Sequence, residues 1–275
     1  MRREFSAKRL VLVEADVAKA RTKDSMRAFS KLTRVIDGKR RIVSDPPLVV
    51  SIEELVAGDG WQEIDNEIRS IVSQYRATLT PERRELLDQY RLVHIGRKVV
   101  GVGSVGTRSW IALFLGRDDS DPAVLQIKEA QRSVLELHQG DSEYTNHGER
   151  IVAGQRRMQA AGDVFLGWTR ITRGLDGQQR DYYVRQLWDW KGSATVERMS
   201  ARGLAAYART CGWTLARAHA RSGDRIAIAA YLGGSAVFDR AMASFAELYA
   251  DQNELDYERL RQAVGSGRVE EQTGL

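Results

Sequence analysis

The stretch that decides the fold is Arg97-Lys98-Val99-Val100-Gly101-Val102-Gly103-Ser104-Val105-Gly106-Thr107-Arg108, which lies between two apolar runs. Its glycines are spaced G-x-G-x-x-G. Glycine allows positive φ angles and lets backbone N–H groups come close to a phosphate. The pattern alone is a weak signal, because turns use glycine for several reasons. The flanking segments therefore have to decide what kind of loop this is.

Those flanks favour a loop between two strands. The loop is followed by the apolar run Trp110–Leu115 and then by a turn rich in Gly, Asp and Pro, and such a short run is typical of a strand. A dinucleotide-binding loop opens directly into a helix, and a P-loop carries Lys-Ser or Lys-Thr after its last glycine. The sequence matches neither arrangement, so we exclude both.

A third apolar run, Val124-Leu125-Gln126-Ile127-Lys128, places a lysine on the next strand. Strand, glycine loop, strand, acidic turn and strand with lysine is the element order of a protein-kinase nucleotide lobe. In such a lobe Lys128 pairs with the α- and β-phosphates of ATP. The residues expected to cradle the phosphates are Gly101, Gly103, Ser104, Gly106 and Thr107. A β-meander with an ordinary glycine turn and a surface lysine is the alternative, and the pattern does not separate the two.

A helix is predicted over Gly148–Gln159, where a kinase lobe carries the helix whose carboxylate orients the lysine. Glu149 and Glu136 are the candidate carboxylates, and Gln155 is a neutral substitute. A solvated helix face, where glutamate serves helix propensity, is the simpler account of any one of these residues.

After two further predicted strands the chain reaches Trp188-Asp189-Trp190-Lys191-Gly192-Ser193, at the position of a kinase hinge. Trp188 or Trp190 is placed to stack on an adenine base, although tryptophan serves packing more often.

Composition bounds the class of protein. The 275 residues carry a net charge of +5 and are 43% hydrophobic, which suits one large or two small domains with a sizeable core.

The single cysteine, Cys211, excludes an intramolecular disulfide framework and fits a reducing cytoplasm. No apolar run approaches the ~18 residues of a membrane span. The charged start at Met1–Phe5 predicts no signal peptide, so we expect a cytoplasmic protein.

The positive charge is compatible with nucleic acid or with a small anion such as a nucleotide. No basic stripe with interleaved aromatic residues and no zinc-finger spacing is present in the sequence. Nucleic-acid binding is therefore kept only as an alternative, and a structural metal site is not expected.

The predicted organisation is an α+β fold. Residues 1–94 form a helical segment, 95–190 a β-sheet nucleotide lobe, 191–265 a helical lobe and 266–275 a flexible tail. Within these segments we expect helices over 1–37, Trp61–Thr78, from Pro81 onwards, from Ser200 to Gly223, over Val237–Tyr249 and over Glu254–Val264.

His219 and Asp224 flank the predicted end of the helix at Gly223. They are the candidates for acid/base catalysis if the chain is catalytic, and capping of helix ends is the simpler account of both.

Several stretches together resemble one bacterial family. They are Arg97–Arg108, Leu125–Ala130, Gly154–Trp168, Tyr182–Ser193, Cys211–Asp224 and Phe245–Asp251. This ordered set is similar to the domain of unknown function 2252 family over most of residues 95–257 and is more specific than any single motif. The resemblance implies a protein-kinase-like fold with ATP as its ligand.

This sequence also departs from the family pattern, because two segments found in other members are missing from it. Family members carry, upstream of this region, a Gly-Asp-x-His-x-x-Asn segment and an Asp-Phe-Asp-like segment. These look like the catalytic and metal-binding loops of aminoglycoside-phosphotransferase-type kinases. This sequence has neither, as expected of an N-terminally truncated member, of one half of a split protein or of a degenerate relative.

Phosphoryl transfer needs acidic residues for Mg²⁺ and for the acceptor. We therefore expect a purine nucleotide as ligand, ATP above all, without Mg²⁺-dependent phosphotransferase activity in this chain alone. A non-catalytic interaction module that needs a complementary protein chain, and a basic nucleic-acid binder, are the alternatives.

Overall fold

A computed structural model describes residues 18, 22, 24–56, 61–99, 106–174, 176–188, 192 and 194–271 of the chain. Its helices are α1 (Ser25–Leu32), α2 (Ile52–Leu55), α3 (Trp61–Ala77), α4 (Pro81–Leu87), α5 (Glu136–Gln139), α6 (His147–Met158), α7 (Ala201–Ser222), α8 (Arg225–Leu232) and α9 (Val237–Gly265). Its strands are β1 (Thr33–Ile36), β2 (Lys39–Ile42), β3 (Val49–Ser51), β4 (Arg91–Lys98), β5 (Ser109–Leu115), β6 (Pro122–Ala130), β7 (Gly167–Ile171) and β8 (Arg180–Gln186).

The centre of the fold is a six-stranded antiparallel sheet with the strand order β3-β4-β5-β6-β8-β7, beside a two-stranded hairpin of β1 and β2. Helices flank this sheet, so the predicted α+β class with an antiparallel sheet is confirmed. The glycine-rich segment connects β4 to β5, as the sequence analysis predicted.

Each face of the sheet has its own apolar core. On one side, which we call the α3 face, Ala112, Leu125 and Val184 pack with Tyr75 and Leu79. The buried Tyr75 hydroxyl donates to the carbonyl of Phe165 at 2.6 Å, and burial raises its pKa well above the usual value. This hydrogen bond fixes the end of α3 against the sheet.

The opposite side, the α1 face, carries Ile111, Leu113 and Val124, which pack against Ala28 and Phe29 of α1. α1 starts where the carboxylate of Asp24 accepts from the N–H of Arg27 at 2.9 Å. The two faces follow from the alternation of side chains along each strand.

α6 lies on the α1 face, over β7 and β8. The carboxylate of Asp181 accepts from the N–H of His147 at 2.8 Å, and the guanidinium of Arg156 stacks over the ring of Trp168. Asp181 and Trp168 therefore position the helix that the sequence predicted over Gly148–Gln159.

The first third of the chain differs from its helical prediction. The helix predicted over residues 1–37 ends at Leu32, and β1 and β2 follow it; residues 1–17 lie outside the described part. Asp37 and Gly38 both have positive φ angles, of 50° and 72°. Positive φ at an Asp-Gly pair is the geometry of a tight hairpin, and the β-branched residues before it favour a strand.

The other helical predictions largely agree with the structure. α3 and α4 start and end within one residue of expectation where bounds were predicted, with Thr80 as the N-cap of α4 and Pro81 at its first position. The predicted pair Val237–Tyr249 and Glu254–Val264 is wrong, because α9 runs without a break from Val237 to Gly265. The segment between them is polar but contains no glycine or proline that would end a helix.

By contacts the chain divides into two compact units, Met1–Gly212 and Trp213–Leu275. The sheet belongs to the first unit. The second is helical in its described part, and many of its large apolar side chains are exposed, among them Ile226, Tyr231, Phe245 and Leu248. No single described helix is long and apolar enough to cross a membrane, although α8 and α9, bent by 79°, meet the length and composition test as a pair.

Gly148 and Gly154 form a matched pair of substitution sites in α6. A Cβ on Gly148 would collide with the backbone carbonyl of Tyr182, whereas one on Gly154 would meet nothing within 4 Å. We expect Gly148→Ala to lower the free energy of unfolding by about 1–3 kcal/mol. Gly154→Ala should raise it by up to ~1 kcal/mol, because alanine favours the helix. Urea titrations measure both values, and equal effects would contradict the close docking of α6 on β8.

Candidate functional site

A row of polar side chains crosses four strands at the end of the sheet next to the glycine-rich segment. Ser109 of β5 lies opposite Lys128 of β6, which lies opposite Tyr183 of β8. Lys98 extends the row on β4, since the preceding residue pairs with Trp110. Side chains of opposed residues lie on the same face, with Cβ atoms roughly 5 Å apart. We call Lys98, Ser109, Lys128 and Tyr183 the lysine row.

The pleat places the lysine row on the α1 face. Ile127 packs against the core of the α3 face, so Lys128 points to the other side. Arg185 lies two residues beyond Tyr183 on the same face and donates to the side-chain oxygen of Gln126 at 3.1 and 3.2 Å. α1 covers this face at Ile111 and Leu113, and none of the four row residues belongs to the apolar cluster described there.

The charges of the row are poorly compensated. Burial lowers the pKa of Lys128, and the nearby charge of Arg185 lowers it further. Burial also lowers the pKa of Lys98, as does Lys31, while Asp45 partly opposes them. Among the described residues Lys128 makes no ion pair. Two half-buried ammonium groups and a guanidinium thus gather where an anion would relieve their repulsion.

Ser109 adds a buried hydroxyl to the row. Only 4% of the residue is exposed, and its Oγ has no hydrogen-bond partner within the part of the chain that the structure describes. A buried polar atom without a partner is uncommon in native proteins. A hydroxyl flanked by two lysines suits a phosphate, because phosphate oxygens accept hydrogen bonds from all three groups. The residues present therefore fit the phosphates of a nucleotide.

The predicted phosphate loop lies only partly within the described residues. Gly101, Gly103 and Ser104 fall outside them. Gly106 is exposed with a φ of +80°, which fits the predicted glycine turn, and Thr107 is half-buried. Arg108, the first residue after them, is held by Glu129, whose carboxylate accepts from its N–H at 2.8 Å. The second half of the loop is thereby anchored to β6.

Glu149, the first candidate to orient Lys128, lies in the first turn of α6, on the α1 face. Its own N–H is capped by the side chain of Asn146 at 3.1 Å. No ion pair joins Glu149 to Lys128 among the described residues. Glu136 is engaged elsewhere: it pairs with Arg132 at 3.0 Å and with Arg150 at 3.7 Å.

Of the two tryptophans predicted at the hinge position, Trp188 lies within the described residues and Trp190 does not. Trp188 is half-buried and packs against the core of the α1 face, next to Leu187. Stacking of either ring on a base stays a prediction.

His219 and Asp224 lie in the second unit. The carboxylate of Asp224 accepts from the N–H groups of Ile226 and Ala227 at 2.9 and 3.1 Å, which makes it the N-cap of α8. His219 is exposed in the last turn of α7, where the N–H of Gly223 donates to its carbonyl. Among the described residues no hydrogen bond joins the two side chains, and their proposed catalytic roles stay untested.

Sequence reasoning did not single out Lys98, Ser109, Tyr183 or Arg185. Their significance depends on the pairing register of β4, β5, β6 and β8, which brings residues far apart in sequence into one row. The position of Lys98 and Ser109 at the two ends of the predicted loop was the available signal.

Within the described residues no group of three His, Cys, Asp or Glu side chains is placed to hold a metal ion.

Fold and site together define an α+β protein with helices on both faces of an antiparallel sheet and a phosphate-compatible row at one end. The chain belongs to the family described as an uncharacterised protein conserved in bacteria (DUF2252), whose model matches residues 2–263. This match confirms the family resemblance of the sequence motifs. Comparison with curated proteins gave no match, and neither did comparison with solved structures.

Lys128 makes no ion pair among the described residues, so we expect the protein to become more stable when its ammonium group is removed, by an amount that depends on pH. Because burial lowers its pKa in the folded chain, its charge costs stability at neutral pH, and the cost disappears as pH rises past the ordinary lysine pKa. We expect Lys128→Met to melt at a higher temperature than the wild type at neutral pH. The difference in melting temperature between Lys128→Met and the wild type should narrow as the pH approaches about 10.

Melting curves followed by circular dichroism across this pH range measure the gap. Lys39→Met, which removes an exposed lysine of β2, is the matched control and should show no comparable pH-dependent gap. A gap for Lys128→Met that stays constant with pH would show that the charge of Lys128 is not the cause.

Proposed function

We propose that the lysine row and the adjoining glycine-rich segment bind the phosphates of a purine nucleotide, ATP above all, in a kinase-like nucleotide lobe. The observation that carries the proposal is the buried hydroxyl of Ser109, which has no hydrogen-bond partner among the described residues and lies between the half-buried ammonium groups of Lys98 and Lys128. Leaving such groups without an anion costs stability, so their gathering at one site is better explained by ligand binding than by folding.

The order of the elements supports the kinase-like assignment. β4, the glycine-rich segment, β5, β6 with Lys128, α6, β7 and β8 follow one another as the elements of a protein-kinase nucleotide lobe do. α6 lies on the same face of the sheet as Lys128, where a kinase helix presents its glutamate to the strand lysine.

Each residue of the site is proposed to make a different contact with the nucleotide phosphates. Lys128 supplies a compact charge to the phosphates, and the Ser109 hydroxyl donates a hydrogen bond at close range. Gly106 and Thr107 bring backbone N–H groups from the loop. Glu149 is the carboxylate proposed to orient Lys128, a role that requires its side chain to approach the lysine when nucleotide binds.

The proposal concerns nucleotide binding by this chain. The described residues offer no carboxylate set that suits Mg²⁺, so no step is assigned to a metal. A non-catalytic interaction module is the second candidate function, and it is favoured by the exposed apolar side chains of α8 and α9, such as Ile226 and Phe245. In that case a complementary protein chain is the partner.

A thermal-shift titration with ATP, with and without Mg²⁺, tests the proposal. At 100 times its dissociation constant the nucleotide should stabilise the wild type by about 2.7 kcal/mol. Lys128→Ala and Ser109→Ala should each weaken binding, by about tenfold for the charged contact and less for the hydroxyl. Lys39→Ala, remote in the β1–β2 hairpin, is the matched control and should bind as the wild type does.

The pattern of responses separates the candidate functions. A shift that is lost in Lys128→Ala and kept in Lys39→Ala would support the nucleotide site. No shift in a cooperatively melting wild type would contradict it and leave the interaction module. Affinity for single-stranded DNA that falls steeply with salt, together with no ATP response, would favour the nucleic-acid alternative.

A further inference from the structure

A cavity of about 350 Å³ lies on the opposite side of the sheet, between α3 and the α3 face. Its volume is within the range of small-molecule pockets, which are roughly 300–1,000 Å³. Its walls are apolar: Ile68, Ile71 and Val72 come from α3, and Ala112, Leu125 and Ile127 come from the sheet. An apolar space of this size is more than a packing defect, since protein interiors hold few voids larger than a water molecule.

Cationic side chains line the open side of this cavity. Arg97 and Arg173 are exposed there, and neither makes an ion pair among the described residues. Among the described lining residues, Glu67 and Asp176 are acidic and four are arginines, so the positive charge is in excess there.

Two further arginines at the opening are already paired. Asp176 accepts from Arg108 at 2.6 Å and from Arg180 at 2.7 and 2.8 Å, and the hydrogen bonds from Arg180 lower its pKa to about 2. Glu129 lies 3.8 Å from Arg108 and 3.7 Å from Arg180. This network is neutral as a whole and rigidifies the opening, which leaves Arg97 and Arg173 to attract an anion.

We propose that the cavity binds one molecule of a single-chain amphipathic anion, such as a fatty carboxylate or an alkyl phosphate. The hydrocarbon chain lies between α3 and the sheet, where every buried methylene leaves water. The anionic head stays at the opening beside Arg97 and Arg173, whose guanidinium groups match a carboxylate or phosphate in shape and charge.

This site is separate from the proposed nucleotide site. Lys128 and Ser109 belong to the α1 face, whereas Ala112 and Ile127 line the cavity on the α3 face. A nucleotide fits the cavity poorly, because its walls offer an adenine ring few hydrogen-bonding groups and its phosphates would have to leave the lysine row. The two proposals can therefore fail independently.

Titration calorimetry with dodecanoate, below its micelle-forming concentration, tests the proposal. We expect one molecule bound per chain, and an affinity that rises by about fourfold for each methylene added through a series of shorter to longer carboxylates. Dodecanol, with the same chain and no charge, should bind at least about tenfold more weakly. A stoichiometry well above one, or equal affinity for dodecanol, would overturn the proposal.

Two variants locate the binding. Ala112→Phe fills the cavity from β5 and should abolish dodecanoate binding. The double variant Arg97→Gln/Arg173→Gln keeps the walls and should reduce affinity by about tenfold or more, and because both residues are exposed it tests the proposal even if Ala112→Phe does not fold. Arg117→Gln, which neutralises an arginine in the exposed β5–β6 turn, is the matched control. Unchanged binding in the double variant would overturn the head-group assignment.

A fluorescence readout identifies the cavity directly. Trp110 lines it, so dodecanoate that carries a bromine on its chain should quench the tryptophan emission of the wild type. The quenching should be largely lost in Trp110→Phe and kept in Lys128→Ala. Quenching that persists unchanged in Trp110→Phe would place the ligand elsewhere and overturn the proposal.

Discussion

The pleat of β6 is the constraint on which both sites depend. Ile127 and Lys128 are neighbours in sequence, yet one packs into the core beside α3 and the other joins a row of polar groups on the opposite face. A shift of one residue in the pairing of β6 would exchange these positions and bury the ammonium in the apolar core. The ladders to β5 and β8, which run over seven and six residue pairs, oppose such a shift.

The two faces hold polar groups in different ways. On the α3 face, the charges near the opening are largely paired, as in the network of Arg108, Asp176 and Arg180. On the α1 face, Asp181 is likewise satisfied by Arg170 and by the N–H of His147. The lysine row departs from this rule, with positive groups and a buried hydroxyl that find no acceptor among the described residues. Arg97 and Arg173 on the α3 face also make no ion pair among the described residues, but they are exposed, whereas the groups of the row are buried or half-buried; this burial distinguishes the row from ordinary surface charge.

The sequence was most informative where local signals agree. The strands β5 and β6, the Thr80-Pro81 start of α4 and the length of α3 were all predicted from the pattern. The hairpin of β1 and β2 was missed because β1 lies inside a pattern with helical spacing that ends only at Asp37-Gly38, and pairing with β2 decided the outcome. Lys128 could be singled out because its strand follows a glycine loop.

Ser109, Lys98 and Arg185 could not be found in that way. A residue acquires its neighbours across a sheet from strand order and register, and neither is encoded at the residue itself. The insertion of β8 between β6 and β7 brings Tyr183 and Arg185 beside Lys128, although more than fifty residues separate them in the chain. The family match is likewise silent on these residues, because it names no ligand.

The lowered pKa of Lys128 also has a chemical consequence. A half-buried amine that holds its proton less tightly is present as the free base more often than an ordinary surface lysine at the same pH, and the free base is the nucleophile. Lys128, like Lys98, is therefore expected to react with amine-directed acylating reagents more readily than an equally accessible lysine whose pKa is not lowered. An anion seated beside it would restore the proton and shield the nitrogen, so the reactivity of one side chain reports on the occupancy of the row.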